Sequence, residues 1–590
     1  MNNVASPLSL EKWNQLIEVA RFEAPATTWI KAGKIFNVFT GELTSGNIAL
    51  CGDRIAYVGN KEPMVNDSTH IIEAFDYTLV PGYVDPHTHP FQLYNPLALM
   101  EFALSRGTTT LVHDNLYFYL SIGLKQWDQF MKAMSFLPVK NYWWVRLDPQ
   151  TNSSDLQHLF SEEAIHSLLS APQVLQAGEL TGWKDMLEGI SNHRERMYIA
   201  RQSGKRIEAH NPGASVETLN AMVAAGATCC HESITTEEVL RRLRLGMYVS
   251  LRYSSIRPDL PHLLKGILEA SQEISIPWNR LLMTTDGSPP FYFAQGFTDE
   301  LLRIALDAGV PPVEAYRMVT INPAVYYGLE RDLGAIAPGR MADILFLEDL
   351  QNPLPCRVMA NGQFIEKQNP LAKDLTMDWE SYDIVSWPKK EWSPHEDWFT
   401  IRWENETFPV AKMLNAVILQ RKDESLLITD GVIQLTNEQK DYVYVSLIDR
   451  DGKWVTNGIV SGFGCIDALA STYTVSRDLI VVGRDPKQMA MAAKRVLDMG
   501  GGICLYEANE ISYELALPLL GGMSEKSMDE LIPLTQQLVD LLRERGYNHQ
   551  DPIYTLFFLT ATHLPLLRWT HEGIVNVKTG EVVITANQMN

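Results

Sequence analysis

From residue 83 to about 330, short apolar runs alternate with longer segments of helical period, and this alternation constrains the fold more than any other feature of the chain. Runs at 109–113, 142–147, 206–209, 248–251 and 281–284 have strand length. Between them, 162–169, 216–225, 237–245 and 298–308 place apolar residues three and four apart. Strands that repeatedly alternate with helices build βα units around parallel strands. About 250 residues of this texture is the size of a (β/α)8 TIM-type barrel. The expected barrel therefore spans 81–334, in an α/β fold.

The flanks read differently. Residues 27–60 hold short β-branched and aromatic runs broken at Thr40-Gly41, Ser45-Gly46 and Cys51-Gly52-Asp53, the pattern of successive hairpins. Hairpin texture returns at 335–366, with an Asn361-Gly362 turn. The economical reading is one composite, β-sandwich-like domain built from 1–80 and 335–405, with the barrel inserted. Leu8, Trp13, Leu16, Ile17 and Ala20 predict an amphipathic helix over 7–22 at its start. Residues 370–405 form a connector rich in tryptophan and proline (Trp379, Trp387, Pro388, Trp392, Pro394, Trp398, Trp403), of a kind that buries aromatic surface between domains. Residues 406–590 again mix strands (443–449, 479–483, 501–506) with helices (486–499, 528–545), and read as a C-terminal α/β domain. Gly500-Gly501-Gly502 lacks the Lys-Ser/Thr of a phosphate loop and reads as a turn.

Composition narrows the partners. The 590 residues carry a formal net charge of −21, which repels phosphate backbones and anionic lipid. Neither a nucleic acid nor a membrane is expected, and a small molecule is the expected partner. Six scattered cysteines with no CxxC pair provide neither a disulfide framework nor a thiolate zinc site. The first twenty residues lack the basic and apolar regions of a signal peptide, so a cytoplasmic location is expected. Base rates for oligomers suggest a homodimer.

Chemistry concentrates at strand ends. In Val80-Pro81-Gly82-Tyr83-Val84-Asp85-Pro86-His87-Thr88-His89, residues two apart on an extended strand share a side, so His87 and His89 can present both imidazoles to one point. Glu179 ends the run 174–179, His210 ends 206–210, and His231 ends 226–231, with Glu232 next to it. Asp286 follows 281–284 before a glycine. Barrel active sites assemble at such ends, and imidazole with carboxylate suits Zn, Mn or Fe. Singly, each residue has an ordinary role: Glu179 a helix cap, His210 a core histidine, Asp286 a turn carboxylate. His113 and Asp114 end a further strand and read as either structural or substrate-facing.

The ordered set His-x-His, Glu, His, His, Asp resembles the metal-dependent amidohydrolase superfamily, and within it the adenine deaminase family. PGYVDPHTHP, AGEL, IEAHNPG, ATCCHES and LMTTDGS carry the resemblance through the barrel; GGGI, LPLLGGMS and DPIYTLFFLTATHLPLLRWT carry it to the C-terminus. The resemblance implies a metal-dependent hydrolytic deaminase acting on adenine or a related purine-like heterocycle. It implies two divalent ions per chain (Mn, Fe or Zn), with His87, His89 and Asp286 on one, His210 and His231 on the other, and Glu179 between. Asp286 would also move protons, and Glu232 would either protonate a ring nitrogen or orient an imidazole. The chain departs from the family at Leu111–Tyr117, where a DPHEI-like segment is usual. It departs again at Gly287, usually acidic, and at Tyr473–Asp478, where the family carries histidines. The alternatives are a cyclic-amide hydrolase, which commonly bridges its metals with a lysine (the nearest here is Lys184), or an inactive scaffold that keeps the metal site.

Overall fold

The computed structural model describes residues 8–151, 154–189, 192–365, 377–387 and 392–589. The chain opens on a helix, Leu10–Ala20, whose first turn is capped by Ser9. Its buried side chains are Leu16 and Val19, which pack on Ala26, Ala49 and Ala56. Trp13 and Ile17, expected on the buried face, point to solvent at 51% and 38% exposure. A small alanine-rich patch has room for only a narrow stripe. Pro7, within the predicted helix, lies outside the described residues.

Strands β1 (Thr28–Phe36), β2 (Leu43–Cys51), β3 (Arg54–Gly59) and β4 (His70–Pro81) follow. The turns expected near Gly41 and Gly52 join β1 to β2 and β2 to β3. Ser45-Gly46 is instead inside β2. The partner backbone passes so close there that a Cβ on Gly46 would lie 2.7 Å from the Gly59 carbonyl oxygen. The glycine marks a close approach rather than a turn.

The barrel begins directly after β4. Its strands are β5 (Tyr83–Thr88), then, past the two-residue β6 (Leu93–Tyr94), β7 (Thr108–Asp114), β8 (Lys140–Val145), β9 (Val174–Leu180), β10 (Arg206–Ala209), β11 (Cys229–Cys230), β12 (Tyr248–Arg252) and β13 (Leu281–Thr284). They form one sheet in the order β5-β7-β8-β9-β10-β11-β12-β13, every pair parallel. Side chains close the ring between its two end strands. Thr284 donates from Oγ1 to Asp85 Oδ1 and to the His87 carbonyl, both at 2.7 Å. Thr285 donates to Asp85 Oδ2 from its backbone nitrogen at 3.1 Å and from its hydroxyl at 2.6 Å.

Beyond the barrel, β14 (Ile344–Leu347), β15 (Arg357–Ala360) and β16 (Gln363–Ile365) return to the first sheet. The composite β-domain is one seven-stranded sheet, β16-β15-β14-β4-β1-β2-β3, whose two flanks meet where β14 runs antiparallel to β4. In the connector, Trp387 is buried, Trp392 stacks on Trp398, and Trp379 meets Phe130; Pro388 lies outside the described residues. The C-terminal domain is built on a mainly antiparallel sheet whose centre comprises Trp454–Ser461, Tyr442–Ile448, Leu479–Gly483, Ala468–Ser471 and Gly502–Glu507. One face packs under the helix Pro486–Asp498 through Met489, Ala492 and Val496. The other face contributes Leu469, Val482 and Leu505 to the same apolar core as Phe91 and Tyr117 of the barrel. Met523–Ser524 pairs in parallel with β6, which ties the two domains by backbone as well. Gly500 and Gly501 turn the chain from the end of the helix Pro486–Asp498 into the strand that begins at Gly502. Among the described residues, no helix is long and apolar enough to cross a membrane.

Candidate metal centre

The six expected ligand residues converge at the carboxyl ends of β5, β9, β10, β11 and β13. His87 Nε2 and His89 Nε2 each lie 3.4 Å from Asp286 Oδ1. Glu179 Oε1 touches His210 Nδ1 and lies 3.3 Å from His231 Nε2. Three groups of donor atoms, each mutually within 4.8 Å, have room for an ion: His87-His89-Glu179, His87-His231-Asp286, and Glu179-His210-His231-Glu232. Glu179 belongs to two of them. Lys184, the lysine nearest in sequence, is exposed.

The donor set fits a divalent cation. His87 Nε2, His210 Nδ1, His231 Nε2 and Glu232 Oε1 are buried without a well-directed hydrogen bond. Carboxylate oxygens and ring lone pairs crowded together repel unless a positive charge stands between them. The far sides of two rings are fixed by one residue, Glu208. Its Oε2 is 2.8 Å from His87 Nδ1 and its Oε1 is 3.0 Å from His231 Nδ1. Gln176 donates to Glu208 Oε2 at 2.7 Å. A carboxylate on the rear nitrogen sets the tautomer that turns Nε2 toward a metal. Burial would raise the Glu208 carboxyl, but His87 and His231 outweigh it and bring it down to about 2.

Asp114 does the same for His89, at 3.0 Å from its Nδ1, and is paired with Arg146 at 2.7 Å. It therefore orients the His89 ring. His113 is structural: it is fully buried, bonds Thr88 and Asn141, and is pushed down to about 4 by burial, so it stays neutral. Arg146 also reaches Glu179 Oε2 at 2.8 Å. Burial opposes ionisation of Glu179, yet His210 and Arg146 hold it well below the usual carboxylate range. Arg252, at the end of β12, places one nitrogen 2.6 Å from Glu232 Oε1 and 2.9 Å from Asp286 Oδ2. Arg257 adds a second contact to Glu232 at 3.0 Å. Against burial, these partners keep both carboxyls ionised.

Asp286 sits in the left-handed region (φ 55°), and so does Gly287 (φ 62°). A Cβ at 287 would lie 2.5 Å from the His89 backbone nitrogen. The backbone leaves no room for a side chain at 287, which accounts for a glycine after Asp286. Glu208, Arg146, Arg252 and Arg257 were not singled out from sequence. Glu208 stands two residues before His210 on one strand, so the same period-two argument that paired His87 with His89 could have found it.

The centre opens into a cavity of about 520 Å³. Its floor includes His89, Glu179, His210, Glu232 and Asp286, and its roof comes from 415–418, Val475 and 550–565 of the C-terminal domain. Tyr554 donates to the Gly287 carbonyl at 2.8 Å, and Ser255 to Asp551 Oδ2 at 2.6 Å. From the segment 473–478 only Val475 lines the cavity; Arg477 turns away to the Leu120 carbonyl at 2.7 Å.

Residues 78–374 match the amidohydrolase family, and residues 416–581 match the adenine deaminase C-terminal domain. A Picrophilus torridus protein named “Putative adenine deaminase” is 39% identical over 98% of this chain and 95% of its own. The chain belongs to the adenine deaminase family of the amidohydrolases. A Halalkalibacterium halodurans protein of the same printed name is 38% identical over 95% of this chain and 96% of its own. A Moorella thermoacetica protein named “Adenine deaminase” is 29% identical over 96% of both chains. As a member of this family the protein is a metal-dependent hydrolytic enzyme.

Proposed function

We propose that the enzyme converts adenine and water into hypoxanthine and ammonia. The observation that carries this reading is the gathering of His87, His89, Glu179, His210, His231 and Asp286 beneath one roofed cavity, with donor atoms left open toward each other. His87, His89 and Asp286 would hold one ion, His210 and His231 a second, with Glu179 shared. Mn, Fe or Zn suits such donors, and when bound makes water a nucleophile near neutral pH.

The chain's own groups then move protons. The amidine carbon of adenine gains the water oxygen, one water proton goes to the adjacent ring nitrogen, and the other leaves with the amino group as ammonia. Asp286, kept ionised by Arg252, takes a proton from the attacking water and hands it to the departing amine. Glu232 starts ionised for the same reason, so it must take up a proton before it can give one to the ring nitrogen. Reduced cysteines, all six free, agree with a cytoplasmic setting.

The test is ammonia release from a panel of purines, pterins and pyrimidines by protein loaded separately with Mn, Fe and Zn, with bound metal counted on the same samples. Adenine turnover with about two metals per chain is expected. Metal bound with adenine inert would discard the substrate, and no metal under any condition would discard the reading.

A further inference from the structure

The roof of the cavity is mostly apolar, and its polar groups are nearly all committed. Asn415 Oδ1 accepts from the Val417 and Ile418 nitrogens, both at 2.9 Å. Tyr554 is bonded to the Gly287 carbonyl, and Gln550 is exposed. His563 is different. It lines the cavity, its Nδ1 is buried without a hydrogen-bond partner, and its ring stands perpendicular to that of His210 with centroids 6.0 Å apart.

The turn that carries His563 is anchored on both sides. Thr562 donates to the Gln150 carbonyl of the barrel at 3.3 Å. Arg568, fully buried, donates from Nε to the Ala561 carbonyl at 3.1 Å and from another nitrogen to the Val417 carbonyl. One guanidinium thus ties together the two segments of the roof. The turn sets the ring beside His210 at the cavity wall, where the edge of the imidazole that lines the cavity can meet a ligand.

We propose that His563 is the residue through which the C-terminal domain selects the substrate, by hydrogen bonding a ring nitrogen of a planar heterocycle lying between the roof and the metal floor. The inference deepens the function proposed above and rests on it. Apolar walls accept any flat ring of the right size but do not tell one arrangement of nitrogens from another. A ring lacking a nitrogen at the right edge would leave the imidazole unpaired, which typically separates substrates by one or more orders of magnitude.

The experiment compares metal-loaded wild type with His563→Phe, which keeps the shape, and His563→Gln, which keeps a polar group near Nε2. It measures bound metal, adenine binding by equilibrium dialysis, and the kcat and KM of ammonia release. His563→Phe should bind adenine about 10- to 100-fold more weakly, with the loss falling mainly on KM and metal content unchanged. His563→Gln should recover part of it. A Phe variant equal to wild type in binding and KM, or one that loses metal, would overturn the inference while leaving the deaminase reading intact. Wild type that neither binds nor deaminates adenine would overturn the deaminase reading; the Phe comparison is then made on whichever heterocycle the panel identifies, and failure to bind any would end both.

Discussion

Glu208 holds two imidazoles at once, so its removal should be felt on both sides of the metal centre. Glu208→Gln keeps the shape but presents an N–H to one of the two ring nitrogens it now accepts from. Partners of this kind typically contribute 10- to 100-fold in metal affinity. Metal content after dialysis against a weak chelator should fall accordingly, in protein shown to be folded before loading; the metal-free protein should also melt lower, because His87 and His231 lose a charged partner. Undiminished metal retention would remove Glu208 from the support of the centre. At this scale the sequence was most legible where an imidazole or carboxylate ends a strand: spacing alone paired His87 with His89, and the resemblance added Glu179, His210, His231 and Asp286, whose donor atoms lie beside them in the structure. It was least legible where a residue acts by charge from another strand. Nothing local distinguishes Arg252, which clamps Glu232 and Asp286, from any other arginine at a strand end. His563 comes from a segment nearly 280 residues beyond the last barrel strand, and only the docking of two domains gives it a neighbour in His210.

The barrel strands were legible as elements because alternation of period two with period 3.6 survives in a single sequence, and 206–209 and 281–284 match β10 and β13 residue for residue. How the ring closes was not. Asp85 sits in the quoted histidine motif without an evident task, yet its carboxylate accepts four donors: the His87 nitrogen at 3.1 Å, the Thr284 hydroxyl, and the backbone and hydroxyl of Thr285. The two hydroxyls can rotate away from a new donor, but the two backbone N–H groups cannot. Asp85→Asn forces its amide against one of them, whichever way it turns. The expected loss is about 1–3 kcal/mol of stability, read from urea unfolding of the metal-free protein, and an unchanged midpoint would mean that the strand closure does not depend on this carboxylate. The first helix shows the opposite limit. Its period was plain, but which face turns inward depended on the alanine-rich patch beneath, so Val19 packs where Trp13 and Ile17 were expected.

Barrel and C-terminal domain share one apolar core and one cavity, so their contact is a packed seam rather than a loose junction. Asp551 stands in that contact. One carboxylate oxygen caps the helix Pro552–Phe558 through the Ile553 and Tyr554 nitrogens, and the other accepts from Ser255 of the barrel. Burial lifts its carboxyl to about 6, more than these hydrogen bonds and the charge of Arg543 can offset. The sign of the linkage follows. Below the ordinary value of 3.8 both folded and unfolded chains are protonated there, so Asp551 leaves stability unaffected. As pH rises from there toward 6 the unfolded chain releases its proton first, and stability falls; above 6 the deficit is constant, on the order of 2–3 kcal/mol. Asp551→Asn keeps the cap, since an amide oxygen also accepts from Ile553 and Tyr554, and its nitrogen can donate to the Ser255 oxygen. The variant should therefore gain on wild type between pH 4 and pH 7, when urea midpoints of the two metal-free proteins are compared at each pH. The difference cancels every titration the two chains share. A gap that does not widen with pH would show that the carboxyl at this domain contact ionises in the folded protein as easily as in the unfolded one, and that the two domains meet through a wetter seam than the buried Asp551 indicates.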